Sequence, residues 1–369
     1  MANLSRVLFN LVLATAILFG LIKILSKAFD FVARYISSID KKTKRFINIG
    51  IALMVAIWPI VFINQPYVLR TSIIVLLYIV LALSLNIVLG FAGQLSIGHS
   101  AFYAIGAYVT ALLTVNFQIS FWIALPTSAL IAALFGLLLG IPTLRLKGDY
   151  LAITTIGFGE ILRLVLINWT NLTRGPAGIP GIPFPKIFGF MINTNLRYYY
   201  LILVLVMFTI FVSYRLLNSR LGRGLIAVRD DEIAAEAMGI KSTYLKILAF
   251  VLGAAFAGIA GSFFATYIHY VNPDNFNYME SVLILCMVVL GGVGSIPGVI
   301  LGATVLTIIP EALRDIATYR YAIYGILLIL MMIIRPQGML SMASLKGGAK
   351  SENSGNKKRN KGLRGLSGS

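Results

Sequence analysis

Cysteine, histidine and acidic residues are scarce in this chain, and each scarcity removes a class of chemistry. The single cysteine, Cys286, lies inside an apolar run, so there is no disulfide framework and no cysteine-built metal site. The two histidines, His99 and His269, stand far apart in sequence and read as packed or interfacial side chains rather than ligands. The phosphate-cradling pattern GxxxxGK[ST] is absent, so the chain carries no recognisable means of hydrolysing ATP itself. Charged residues fill only 12% of the positions, against about 25% in soluble domains. What fills the space instead is apolar: 59% of the 369 residues are hydrophobic, in long continuous runs. Barrel strands would show short alternation instead. The fold class is therefore an all-α polytopic membrane protein.

About ten core transmembrane helices plus one N-terminal helix are predicted. The runs are Leu4–Leu25, Phe46–Ile63, Thr71–Gly90, Ala101–Val115, Phe121–Pro142, Tyr150–Trp169, Tyr198–Leu217, Leu245–Tyr270, Met279–Leu290, Val299–Leu313 and Tyr321–Ile334. Most approach the twenty or so residues that a span needs. Leu4–Leu25 is long for a signal-peptide core and no clear small-x-small cleavage site follows, which favours a retained anchor over a cleaved leader. The domain reading is an N-terminal helix with a basic linker (1–45), a membrane domain (46–336) and a disordered basic tail (337–369). That tail is rich in Ser, Gly, Lys, Arg and Asn; it reads as a solvated segment that fixes orientation, with contact to anionic lipid as the alternative.

The net charge is +18, which raises nucleic acid as a partner, but the bases lie between apolar runs rather than on a soluble patch. Alternate connections hold 23 of the 31 lysines and arginines, in 23–45, 145–147, 215–246 and 335–369. The opposite side holds seven: Arg6, Arg70, Arg174, Lys186, Arg197, Arg314 and Arg320. The positive-inside rule places the first set, and with it the C-terminus, in the cytoplasm. Arg174–Gly189 carries four prolines and four glycines and is assigned to an outer loop.

The connection Leu221–Lys246 is unlike the others. It holds Asp230, Asp231, Glu232 and Glu236, four of the chain's 13 acids, flanked by Arg223, Arg229, Lys241 and Lys246. Such charge excludes it from hydrocarbon. A short helix is predicted at about Asp230–Met238, with Asp230 as N-cap, Asp231 and Glu232 at the positive end of the dipole, Ala234, Ala235 and Ala237 as helix formers, and Gly239 as the stop. A solvated connector without a partner is the plainer alternative.

Two stretches interrupt the apolar runs. FAGQLSIGHS (91–100) is polar and rich in glycine and serine, and LGGVGSIPG (290–298) echoes GFAGQLSIG (90–98). Irregular backbone at membrane depth is tolerated only inside protein or beside a water-filled cavity. The first break is thus either a broken helix lining a pathway or a tight cytoplasmic turn. Glu160 and Arg163 share a helix face within one span, roughly 15 Å from its start; they serve either a pathway or a structural ion pair.

The segments GQLSIGHSAFYAIGAY (93–108), GDYLAITTIGFGEILRLV (148–165), TRGPAGIPGI (173–182), GLIAVRDDEIAAEAMGI (224–240) and LGGVGSIPGVILGA (290–303) together resemble the M-type permease subunits of branched-chain amino acid ABC importers. The resemblance covers most of residues 71–336. It implies a permease in the bacterial inner membrane, paired with a homologous second permease, two cytoplasmic ATPase subunits and a periplasmic or extracellular substrate-binding protein. It implies no cofactor on this chain, ATP and Mg being held by the ATPases. It places the ATPase-coupling helix on Arg229, Asp230, Asp231, Glu232, Ala234, Ala235, Glu236 and Gly239, with Ile233 interrupting the usual contiguous pattern of acid and small residues. Candidate pathway residues are Gly93, Gln94, Ser96, Gly98, His99, Ser100, Glu160 and Arg163. Urea, short amides and other amino acids are alternative substrates within the class. A secondary transporter is the rival from another class, since Glu160 and the glycine breaks sit at membrane depth. A membrane enzyme would need clustered His, Asp, Glu or Cys, of which there are too few.

Overall fold

The computed structural model describes residues 53–144, 146, 148–187 and 189–312, with isolated positions 50, 325, 329 and 339. Apart from those positions, the expected N-terminal helix, basic linker, Tyr321–Ile334 span and basic tail lie outside the described residues.

After a helical segment at 53–61, Pro66 opens α1, Pro66–Leu85. Proline suits the first helical turn because its missing N–H has no partner there anyway. The helix continues as a π-helical turn over Asn86–Phe91, giving 26 residues, or about 39 Å at 1.5 Å per residue. The most apolar window of this helix is 83% buried within the protein, so α1 is the central element. The following helices are α2, His99–Val115; α3, Phe121–Thr143; α4, Asp149–Asn168; α5, Asn195–Leu217; α6, Arg220–Asp230; α7, Glu232–Ala237; α8, Ser242–Ile268; α9, Tyr278–Gly291; and α10, Ile296–Ala312. Helix α8 packs against α2, α3 and α1. Small residues set that closeness: a Cβ on Gly106 would stand 2.1 Å from the Gly258 carbonyl oxygen, and one on Gly258 would stand 2.6 Å from Ala132 Cβ.

Five described helices are long and apolar enough to cross a membrane: Pro66–Phe91, α3, α4, α5 and α8. The predicted spans at Ala101–Val115, Met279–Leu290 and Val299–Leu313 are the helices α2, α9 and α10, of 17, 14 and 17 residues. At about 1.5 Å per residue, α9 reaches only about 21 Å. These three adjoin the glycine-rich breaks, and each break shortens the helix beside it.

Opposite the charged loop, the proline- and glycine-rich connection is irregular, as predicted. It carries β1, Ile179–Pro180, and a tight hairpin of β2, Lys186–Ile187, and β3, Phe190–Met191. β1 pairs antiparallel with β4, Tyr270–Val271, just after α8. His269 ends α8 in the left-handed conformation (φ 61°), and its Nδ1 lies 2.8 Å from the Ile182 carbonyl oxygen. This histidine is thus a structural pin, as expected of a packed or interfacial side chain.

Candidate functional site

The charged connection folds into two helices, separated at Asp231, rather than one. Ser219 caps α6, accepting from the Gly222 amide at 3.1 Å. Asp231 caps α7, its Oδ1 accepting from the Ala234 amide at 3.0 Å. The expected cap, Asp230, instead ends α6 and pairs with Arg229 at 3.0 Å. The shift by one residue has a local cause: Asp231 is the extended residue between the helices (φ −157°), and an N-cap needs that non-helical backbone. Gly239, at φ +81°, stops the turn as its residue type predicts.

Helix α7 is pinned to the start of α8. Glu232 makes an ion pair with Lys246, whose side chain is only 7% exposed. The Ser242 hydroxyl donates to Glu236, and Ala235 is buried at 4%. Three of the expected partner-facing residues therefore hold the helix in place. What it presents outward is Ile233 and Met238, 76% and 82% exposed, with Ala234 and Ala237 exposed between them and Asp231 and Gly239 exposed on either side. Ile233, which reads in sequence as an interruption, is the most prominent apolar side chain of α7.

Arg229 turns the other way. Its Nη1 donates to the Gly90 carbonyl at 2.7 Å. A Cβ on Gly93 would stand 2.6 Å from Arg229 Cγ, and one on Gly294 would stand 3.0 Å from Arg229 Nη1. The Gly294 amide in turn donates to Asn86 Oδ1 at 2.8 Å. The two echoing breaks, 90–98 and 290–298, thus meet at one arginine of the charged loop. Asn86 is the residue that sequence reasoning missed here. Its signal is a lone amide in an otherwise apolar run, where a polar group needs a partner.

The first break is largely buried in the bundle. Gln94, Ser96, His99 and Ser100 are all buried. The Ile97 amide donates to Thr155 Oγ1 at 2.9 Å, and Gly98 sits on the Thr155 backbone so closely that a Cβ would meet its oxygen at 2.1 Å. His99 Nε2 lies 2.6 Å from Ser84 Oγ. The Ser84 hydroxyl already donates to the Leu81 carbonyl, so the imidazole is the donor in that pair. The Ser100 amide donates to Ser281 Oγ at 2.9 Å, and that hydroxyl donates back to Ser100 Oγ at 2.7 Å.

Glu160 and Arg163 pair as their spacing predicts, Nε to Oε2 at 3.2 Å. A third member joins them: Arg163 Nη1 lies 3.1 Å from Asp274 Oδ1, in the 3-10 turn Pro273–Phe276. The network ties α4 to that turn, and two acids share one guanidinium.

A cavity of about 300 Å³ opens beside the same turn, its walls including Leu77, Tyr78, Tyr103, Phe264, Asn275 and Glu280. The Tyr78 hydroxyl donates to Glu280 Oε1 at 2.7 Å. Tyr103, Phe264 and Phe276 form a ring cluster with centroids 5.0 to 5.9 Å apart. Among the described residues, no three His, Cys, Asp or Glu side chains gather as a metal site would need. Cys286 is a buried free thiol.

The chain matches, over residues 67–334, the family described as branched-chain amino acid transport system / permease component. It is 42% identical over 324 residues to the high-affinity branched-chain amino acid transport system permease protein LivM of Salmonella typhimurium, covering 82% of this chain and 76% of that protein. It is also 42% identical, over 335 residues, to LivM of Escherichia coli K12, covering 84% of this chain and 78% of that protein. The permease protein LivH of Salmonella typhimurium is 28% identical over 290 residues, covering 71% of this chain and 91% of that protein.

Proposed function

The chain belongs to the branched-chain amino acid transport system permease family, and on that premise we propose how its parts divide the work of import. It is a multi-pass membrane permease subunit of an ABC importer for branched-chain amino acids, in a system with two related permeases. In our reading this chain forms half of the translocation pathway in a bacterial inner membrane and the second, homologous permease forms the other half. A periplasmic or extracellular binding protein delivers the amino acid. Two cytoplasmic ATPases hold ATP and Mg and drive the cycle, and this chain contributes no cofactor. Loop 221–246 and the C-terminus face the cytoplasm.

The observation that carries this reading is the two-sided construction of the charged loop. Its outer side offers Ile233 and Met238 on a short pinned helix, a shape suited to an apolar groove on an ATPase. Its inner side places Arg229 against both glycine breaks. A push on α7 would be carried rigidly through α6 to Gly90 and Gly294. Packed elements of this kind switch between discrete arrangements rather than deforming continuously. The segment Gly93–Ser100, in which Gln94, Ser96, His99 and Ser100 are buried, and the Glu160–Arg163 pair lie on elements that such a movement shifts, and they remain our candidates for the pathway.

The test is a mild-detergent purification of the tagged chain from native membranes, followed by uptake assays in vesicles. Co-purification of a second permease and two ATPases, with leucine uptake that requires ATP and the binding protein, is the expected result. A chain that purifies alone and carries solute on an ion gradient would overturn the reading. Titration of the co-encoded binding protein with leucine, urea and other amino acids settles the substrate.

A further inference from the structure

We propose that the cavity beside the Pro273–Phe276 turn is a transient amino-acid station in the permease, with the Glu280 carboxylate receiving the substrate's ammonium group. The inference rests on the import reading above and deepens it by naming a site.

Three observations lead to it. Glu280 is half-buried, faces a cavity of about 300 Å³, and has the Tyr78 hydroxyl as its partner. No cation pairs with it among the described residues. The other acid lining the cavity, Asp274, already holds Arg163. Among the described residues this carboxylate has a hydroxyl rather than a counter-ion for its partner, an arrangement that is costly inside a membrane protein and marks a functional position more often than a structural one. The start of α9 lowers that cost in part: Glu280 lies in the first turn, where Asn277 accepts from its amide at 3.2 Å and the helix dipole favours negative charge. The acid is thus held in place, still able to take a second donor.

The rest of the cavity suits a small zwitterion with an apolar side chain. Ile73, Ile74, Leu77 and Phe264 supply apolar wall, and Asp274 and Asn275 add polar lining. The volume is at the lower end of the range of about 300 to 1,000 Å³ seen for ligand pockets. Tyr78 is midway along the 26-residue central helix, near the depth at which transporters with broken helices hold their cargo. Helix α9 is short, 14 residues, with Glu280 at one end and, just past the other, the break whose Gly294 abuts Arg229. A shift of that break would move Glu280 along with it, so the station and the charged loop share one rigid element.

The experiment uses the whole importer, with binding protein and ATPases, in lipid nanodiscs. Ile74→Cys is placed in a Cys286→Ser background, and its labelling is followed with a cationic and an anionic methanethiosulfonate reagent. The cationic reagent is expected to label faster, and Glu280→Gln is expected to remove most of that preference. Leucine should slow the labelling, whereas 4-methylpentanoate, which lacks the ammonium group, should not. That comparison leaves Glu280 intact and so stands even where the glutamine variant fails to assemble. In uptake, Glu280→Gln is expected to raise the KM for leucine about tenfold, the scale of one charge-assisted hydrogen bond, with partial rescue by Glu280→Asp. Equal protection by leucine and 4-methylpentanoate, or protection by neither, overturns the station. Absence of ATP-dependent leucine uptake by the unmodified importer overturns the import reading instead.

Discussion

Arg229 sits where a charge-rich loop meets two glycine breaks, and its contacts separate assembly from transport. Its guanidinium engages Gly90 and Asp230, while the exposed face of α7 lies elsewhere. Arg229→Ala is therefore expected to leave the ATPases bound in a pull-down yet lower leucine uptake about tenfold, one charge-assisted bond being worth about 1.5 to 3 kcal/mol. Loss of the ATPases together with uptake would place Arg229 in the docking face instead. Gly93 tests the same contact from the other side. It has φ +70°, and a Cβ there would stand 2.6 Å from Arg229 Cγ. Gly93→Ala combines a strained backbone with a clash, so a destabilisation of about 1 to 3 kcal/mol is expected, read as a lower Tm of the purified complex and slower uptake.

At the scale of elements, α7 is defined by what braces it and what it leaves free. The Glu232–Lys246 pair, the Ser242–Glu236 bond and buried Ala235 hold it on α8. Ile233 and Met238 remain as apolar side chains facing away. An exposed apolar pair on an otherwise charged loop is what a partner groove would cover. Ile233→Asp combined with Met238→Asp is expected to abolish co-purification of the ATPases while leaving the pairing of the two permeases intact, since neither side chain packs inside this chain. Retention of the ATPases would remove α7 as the coupling element. The small-residue signature alone points to Ala234, Ala235 and Gly239; burial divides that set, with Ala235 a support and Ala234 on the surface.

For the whole molecule, orientation is the property that the charge asymmetry predicts and that sidedness of labelling checks. A cysteine at Met238, 82% exposed, in a Cys286→Ser background should react with an impermeant thiol reagent only from the cytoplasmic side. Reaction from outside in intact cells would invert the topology.

Much of this organisation is legible without a structure, because it depends on local properties of the chain. The length of each apolar run follows from how far a helix must climb through hydrocarbon, so the spans from Thr71 to Leu313 fall close to observed helices. The charged loop, its Gly239 stop and the irregular Arg174–Gly189 connection follow from residue types read within a few positions. The shortened length of the helices beside the breaks, the cap at Asp231 rather than Asp230, and the burial of Gln94, Ser96, His99 and Ser100 depend on how neighbouring turns pack. The decisive contacts are remoter still. Arg163 reaches Asp274 across 111 positions, Arg229 reaches Gly90 across 139, Tyr78 reaches Glu280 across 202, and Gly294 reaches Asn86 across 208. The sequence by itself determined that this chain is a helical membrane permease with one charge-rich connection that hydrocarbon excludes, because hydrophobic length and charge placement are written residue by residue. Only the tertiary structure decided which polar groups in the membrane face one another, because that depends on which helices pack together and not on anything that adjacent residues display.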